Sequence, residues 1–97
     1  MTSVLIKPST NDKKKMMAVF NYSDGKKKTV HFGAKGYTDF IKSGGDEAKK
    51  KAYLARHAKR ENWDKFDTAG SLSRFILWNK TSLDASIKDY KKRFSMK

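Results

Sequence analysis

The apolar residues change period once along the chain, and that change decides the class of fold. Up to Phe32 they lie in short strand-length runs with a one-face repeat of two; from Glu47 onward they recur at helical spacing. Side chains alternate between the two faces of a strand, whereas on a helix they return to one face every three or four residues. Val4, Leu5 and Ile6 make a short β-like run within Ser3–Lys7, which Pro8 ends. Residues 11–15 are polar and read as a turn. Met16, Ala18, Phe20 and Tyr22 then share one face of a second strand, and Ser23-Asp24-Gly25 supplies the next turn. Lys28 to Phe32 follows, with Val30 and Phe32 on one face and Thr29 and His31 on the other. The expectation is an antiparallel hairpin that the first strand joins as a meander.

Residues 33–45 contain Gly33, Gly36, Gly44 and Gly45 and read as a packed crossover from sheet to helices. Asp46 is placed to cap a helix from about Glu47 to Arg60. A second helix starts at Thr68 or Ser71. Its Leu72, Phe75, Ile76, Leu77 and Trp78 leave little polar face, so it should be the most buried. Asn79-Lys80 breaks it. Thr81 with Asp84 resembles a capping box for a third helix, whose apolar face is Leu83, Ile87, Tyr90 and Phe94. The fold class is therefore α+β, a three-stranded antiparallel β-meander followed by three α-helices, in one domain over residues 1–97.

Charge narrows the function. The 97 residues carry a formal net charge of +13, beyond the magnitude of roughly 2–8 that keeps a small domain soluble. All four arginines, Arg56, Arg60, Arg74 and Arg93, lie in the second half. Lys49, Arg56, Lys59 and Arg60 form a cationic stripe on the first helix. Lys88, Lys91, Lys92 and Arg93 lie off the apolar face of the third. These eight residues are the candidate nucleic-acid-binding set, with basic loop ends at Lys13–Lys15 and Lys26–Lys28. Clustered cations bind polyanions by releasing counterions, without reading sequence. The leading expectation is sequence-independent binding of nucleic acid, DNA or RNA, with Arg supplying planar phosphate contacts. Neutralising roughly six phosphates gives a log–log salt slope of about −5.

Other chemistry is thinner. Tyr22, Phe32, Tyr37 and Phe40 lie on or just beyond the hairpin, where a sheet could present them to bases. Phe20, Phe32, Trp63 and Trp78 read as core. His31, Asp39, His57, Glu61, Asp64 and Asp67 are the available acid–base or metal groups. His57 and Glu61, four residues apart, make a metal-dependent nuclease a third reading. No HExxH helix, Walker-type phosphate loop or nucleophile elbow is present, so no catalytic residue, metal or cofactor is assigned. There is no cysteine, which excludes disulfides and thiolate zinc sites. No apolar run is long enough to span a bilayer, and Met1–Lys7 lacks the features of a signal peptide. An intracellular location is expected rather than secretion. The basic third helix needs its four apolar residues for the core, so no membrane partner is expected.

Several stretches point together to a relationship. They are Phe32-Gly33-Ala34 with Gly36 and Asp39; Tyr53, Arg56-His57, Glu61 and Trp63; and Thr68-Ala69-Gly70, Ser73-Arg74 and Leu77-Trp78-Asn79-Lys80. Leu83, Ser86-Ile87, Asp89 and Lys92-Arg93-Phe94 continue the set. In these the chain resembles a family of small basic proteins of unknown function encoded by large DNA viruses of algae. Two positions depart from the family pattern: Ser71-Leu72 replaces a bulky aromatic, and a histidine is absent from residues 41–45. The resemblance implies a viral origin and brings no assigned site residues. It supports two readings: a protein of viral genome handling or packaging, and a minor virion protein whose basic surface meets acidic virion proteins.

Overall fold

The computed structural model describes residues 2–96; Met1 and Lys97, the ends of the expected 1–97 domain, lie outside the described residues. Three antiparallel strands, β1 (Ser3–Pro8), β2 (Lys14–Asn21) and β3 (Lys27–Ala34), form one open sheet in the order β1-β2-β3. Three helices follow, so the α+β meander read from the sequence is the fold. Helix α1 spans Glu47–His57. Helix α2 begins as Ala69–Leu72 and runs on as a π-helical segment, Ser73–Leu77, which closes with Trp78 N–H donating to the Ser73 carbonyl. Helix α3 spans Leu83–Arg93.

Alternation in the strands becomes two different sheet faces. Ile6 pairs with Ala18 and Ala18 with Val30; Met16 pairs with Phe32 and Val4 with Phe20. Residues paired across strands share a face, so these side chains form one apolar surface. Ala18, Phe20 and Phe32 are fully buried there against Leu72, Ile76 and Tyr90. The opposite face carries Leu5, Val19 and Thr29, and Leu5 is 56% exposed. On that face the hydroxyl of Ser9 meets His31 Nδ1 at 2.7 Å, which ties the end of β1 to β3.

Helix boundaries follow local chemistry. The Asp46 carboxylate accepts from the backbone N–H groups of Ala48 and Lys49, as its position predicts. Thr68 Oγ1 accepts from Ser71 N–H and starts α2. Two boundaries differ from the sequence reading. Helix α1 ends at His57 rather than Arg60: Arg60 and Glu61 N–H groups both donate to the His57 carbonyl, closing the last turn. Helix α3 is capped by Ser82, whose hydroxyl accepts from Ala85 N–H. The Thr81 methyl instead packs against Gly45, where a Cβ would lie 2.8 Å away. The α2–π segment is the most buried helix, as expected; Phe75, Ile76, Leu77 and Trp78 are all buried between the sheet and α3.

Polar groups fix the remaining joints. Tyr90 is fully buried and its hydroxyl donates to the Phe66 carbonyl at 2.5 Å. Asp89 accepts from Asn79 Nδ2 at 2.6 Å and from Arg93 Nη2 at 3.4 Å. The Asn79 hydrogen bond is the main reason the Asp89 carboxyl sits below its ordinary pKa. For Asp67 burial acts upward, but the Tyr22 hydroxyl, the Lys28 and Lys65 charges and a backbone hydrogen bond act against it and the net direction is down. A carboxylate with a pKa lower in the folded state gives its full stabilisation above the unfolded value, near 3.9, and loses it as pH falls through the folded value. Thermal unfolding should thus be level in pH above about 5 and the midpoint should drop below about 4. Asp89→Asn should shrink that drop; an unchanged acid limb would remove Asp89 as a cause.

Candidate nucleic-acid interface

Strand β2 begins and β3 ends at one end of the hairpin, and residues from the end of α1 line a cleft with them. Between them lies an open cleft of about 690 Å³, within the size range of small-ligand sites. Lys14, Lys15, Gly33 and Ala34 make its sheet wall, and Tyr37, Thr38 and Asp39 extend that wall into the crossover. Arg56, His57, Arg60 and Glu61 form the facing wall. Tyr53, Ser73, Leu77 and Trp78 lie among its inner residues.

Ion pairing divides the charges of this cleft into committed and uncommitted groups. Lys15 Nζ is 2.7 Å from Asp39 Oδ2 and also donates to the Tyr37 carbonyl. Asp39 Oδ1 accepts from Lys42 N–H. Asp39 is 5% exposed and holds the crossover in place. Among the described residues, no carboxylate lies within 4.0 Å of the cationic groups of Lys14, Arg56 or Arg60. Arg56 and Arg60 are exposed and Lys14 is half-buried.

An aromatic stack leads from the core to this rim. The Trp78 and Tyr53 rings are 4.6 Å apart and 10° from parallel. Tyr53 and His57 follow at 4.3 Å and 28°. Burial, then the Glu61 charge, pushes the Tyr53 phenol above its ordinary pKa, so it stays a neutral ring at pH 7. His57 Nδ1 lies 3.9 Å from Glu61 Oε1, and both side chains are partly exposed. The Glu61 carboxylate rests against Gly70: a Cβ there would fall 1.8 Å from Glu61 Oε2. Gly70→Ala must swing that carboxylate away, yet the obstacle is the end of a flexible side chain. The unfolding midpoint is therefore expected to stay within a few degrees of wild type, since alanine gains up to about 1 kcal/mol of helix propensity. A fall of more than 10 °C would show that Glu61 is fixed in place.

The other sequence candidates are dispersed. Lys49 and Lys59 are exposed on or just after α1 and do not line the cleft. Lys88, Lys92 and Arg93 are exposed and Lys91 half-buried on α3, which packs on the π segment and contributes nothing to the cleft. The two helical stripes therefore do not line one cleft. Lys26–Lys28 sit at the opposite end of the hairpin from Lys14, since Asn21 pairs with Lys27 and Lys14 with Ala34. Asp64 is exposed and its N–H is held by Asn62 Oδ1. Among the described residues no three His, Asp or Glu side chains gather as a metal site, so His57 and Glu61 form a pair without a third such ligand.

The aromatic sheet platform is a correction. Phe32 and Phe40 are 1% and 3% exposed, because the helices cover the aromatic face of the sheet. Tyr22 is half-buried beside Phe66 and donates to Asp67; burial and that bond raise its pKa to about 12. Tyr37 alone of the four stays open, at 72% exposure on the cleft wall.

Arg74 is the cation whose placement sequence reasoning missed. Its guanidinium lies 5.2 Å from the Trp63 ring and 4.9 Å from Phe75, and Arg93 approaches Phe75 at 4.7 Å. Its Nε is buried without a hydrogen-bond partner. Burial first, then the Arg93 charge, lowers its pKa, and a guanidinium remains charged at pH 7 regardless. Nothing in the spacing of residues 60–94 signals that aromatic cradle.

No helix among the described residues is long and apolar enough to cross a membrane. No curated protein and no solved structure matches the chain. A family model does match, over residues 4–57, the stretch that holds the sheet, the crossover and α1 up to His57. The chain accordingly belongs to the family of unknown function DUF5754.

Proposed function

We propose that the protein binds nucleic acid independently of sequence, with the cleft rim as its principal contact. One observation carries this: Lys14 from β2 and Arg56 and Arg60 from the end of α1 converge on one cleft with no carboxylate in ion-pair distance. Cations brought together from distant segments and left unneutralised oppose folding by their mutual repulsion, and an external polyanion removes that cost. Lys88, Lys92 and Arg93 on α3, with Arg74 beside Arg93 across Phe75, form a second basic area outside the cleft. The viral resemblance makes genome handling or packaging the setting for this activity.

The test is a set of anisotropy titrations with labelled single strands and duplexes of unrelated sequence. Affinities within a few-fold of one another across sequences support the proposal. Absence of binding at 50 mM salt, or preference for one sequence by more than about a thousandfold, where specific readout begins, overturns it.

A further inference from the structure

Three features of the cleft are more specific than a basic patch needs. It is enclosed enough to have walls on two sides, it holds the end of an aromatic stack, and its uncommitted cations stand beside that stack rather than along an open surface. We infer that the cleft takes one unpaired nucleotide of a single strand, its base stacking on His57 and its phosphate held by Arg56 and Arg60. The inference rests on the nucleic-acid reading above and narrows it to a strand with an exposed base.

The ring series sets the geometry. Trp78, Tyr53 and His57 succeed one another at 4.6 and 4.3 Å with planes 10° and 28° apart, close to the spacing at which aromatic rings stack. Trp78 and Tyr53 are buried at 7% and 8% exposure, so the inner end of the series is fixed by the core. The His57 side chain is 40% exposed and lines the cleft. One of its faces is taken by Tyr53, and on this proposal the base is a fourth flat ring stacked on the other. A base offers that ring whatever its identity, which keeps the contact sequence-tolerant.

Charge orients the nucleotide. Arg56 directly precedes His57 and Arg60 follows it by three residues, at the turn where Arg60 N–H donates to the His57 carbonyl. Glu61 brings a negative charge to the same wall, 3.9 Å from the imidazole. A phosphate is repelled by that carboxylate and drawn to the guanidiniums, while base N–H groups can donate to it. A paired base inside a duplex cannot reach the stack without leaving its partner.

The experiment uses the full chain and a 12-nucleotide thymidine strand with one internal 2-aminopurine, whose fluorescence falls when it stacks. Wild type should quench it on the single strand and leave the already low fluorescence of the matching duplex unchanged. His57→Ala should abolish the quench and weaken single-strand binding about tenfold, whereas His57→Phe should restore both by keeping a flat ring. Lys7→Ala, exposed on β1 and outside the cleft, should leave the quench intact. No quench by wild type, or an equal quench by His57→Ala, overturns the inference. Salt-sensitive binding of both strand forms without any quench would reject this site while leaving the broader nucleic-acid reading standing; absence of binding would reject both.

Discussion

Arg56→Ala combined with Arg60→Ala is expected to weaken single-stranded DNA binding about a hundredfold at low salt, with the fold unchanged. Both side chains are exposed, and neither makes an ion pair within the protein, so their removal leaves no buried partner behind. A hydrogen bond between a charged donor and phosphate contributes about 1.5–3 kcal/mol, and 1.4 kcal/mol is tenfold in affinity. Two lost phosphate contacts should also flatten the single-strand salt slope by about 1.4. Lys49→Ala with Lys59→Ala removes the same charge from positions outside the cleft and should cost several-fold less. Equal losses from the two pairs would mean that net charge, and not the cleft, governs binding.

Gly33→Ala should be the most damaging small substitution for the fold. Gly33 has φ +77, and a Cβ on it would meet Leu77 Cδ1 at 2.6 Å. Leu77 is 5% exposed in the π segment under the sheet, so it cannot swing into solvent as Glu61 can. The left-handed backbone costs about 1–2 kcal/mol in a residue with a Cβ, and overpacking a filled site adds about 1–3 kcal/mol. The sum is on the order of 2–5 kcal/mol, or roughly 8–40 °C in unfolding midpoint for a domain of this size. Gly25→Ala isolates the first contribution: its φ is +90, but nothing lies within 4 Å of the added Cβ. Thermal denaturation of the two variants should therefore place Gly33→Ala well below Gly25→Ala. Equal midpoints would mean that β3 and the π segment can separate without penalty.

The sheet was legible in the sequence because short β-like runs are separated by turn residues, and Met16, Ala18, Phe20, Val30 and Phe32 recur at every second position on one face. Asp46 was legible as a cap because its side chain acts within three residues, and Thr68 was one of two starts offered for α2. The end of α1 was not, since residues 57–60 are good helix formers; the closing turn at His57 and the Asn62 side chain bound to Asp64 N–H stop it instead. Thr81 and Ser82 offer the same hydroxyl, and tertiary packing of Thr81 against Gly45 decides between them. The cleft combines residues 14–15, 32–39, 53–61 and 69–78, so helical periodicity found Arg56 and Arg60 but not their convergence with Lys14. It also placed Lys88, Lys91, Lys92 and Arg93 on a comparable stripe, because a helical wheel carries no information about which way a helix faces within the fold.

If Lys14, Arg56 and Arg60 on the cleft bind nucleic acid through its phosphates, affinity must fall steeply with salt. Wild-type affinity for a single strand measured between 50 and 200 mM salt should fall along a log–log line of slope about −4 if roughly six phosphates are neutralised, about −0.7 for each. A slope near zero would contradict the account.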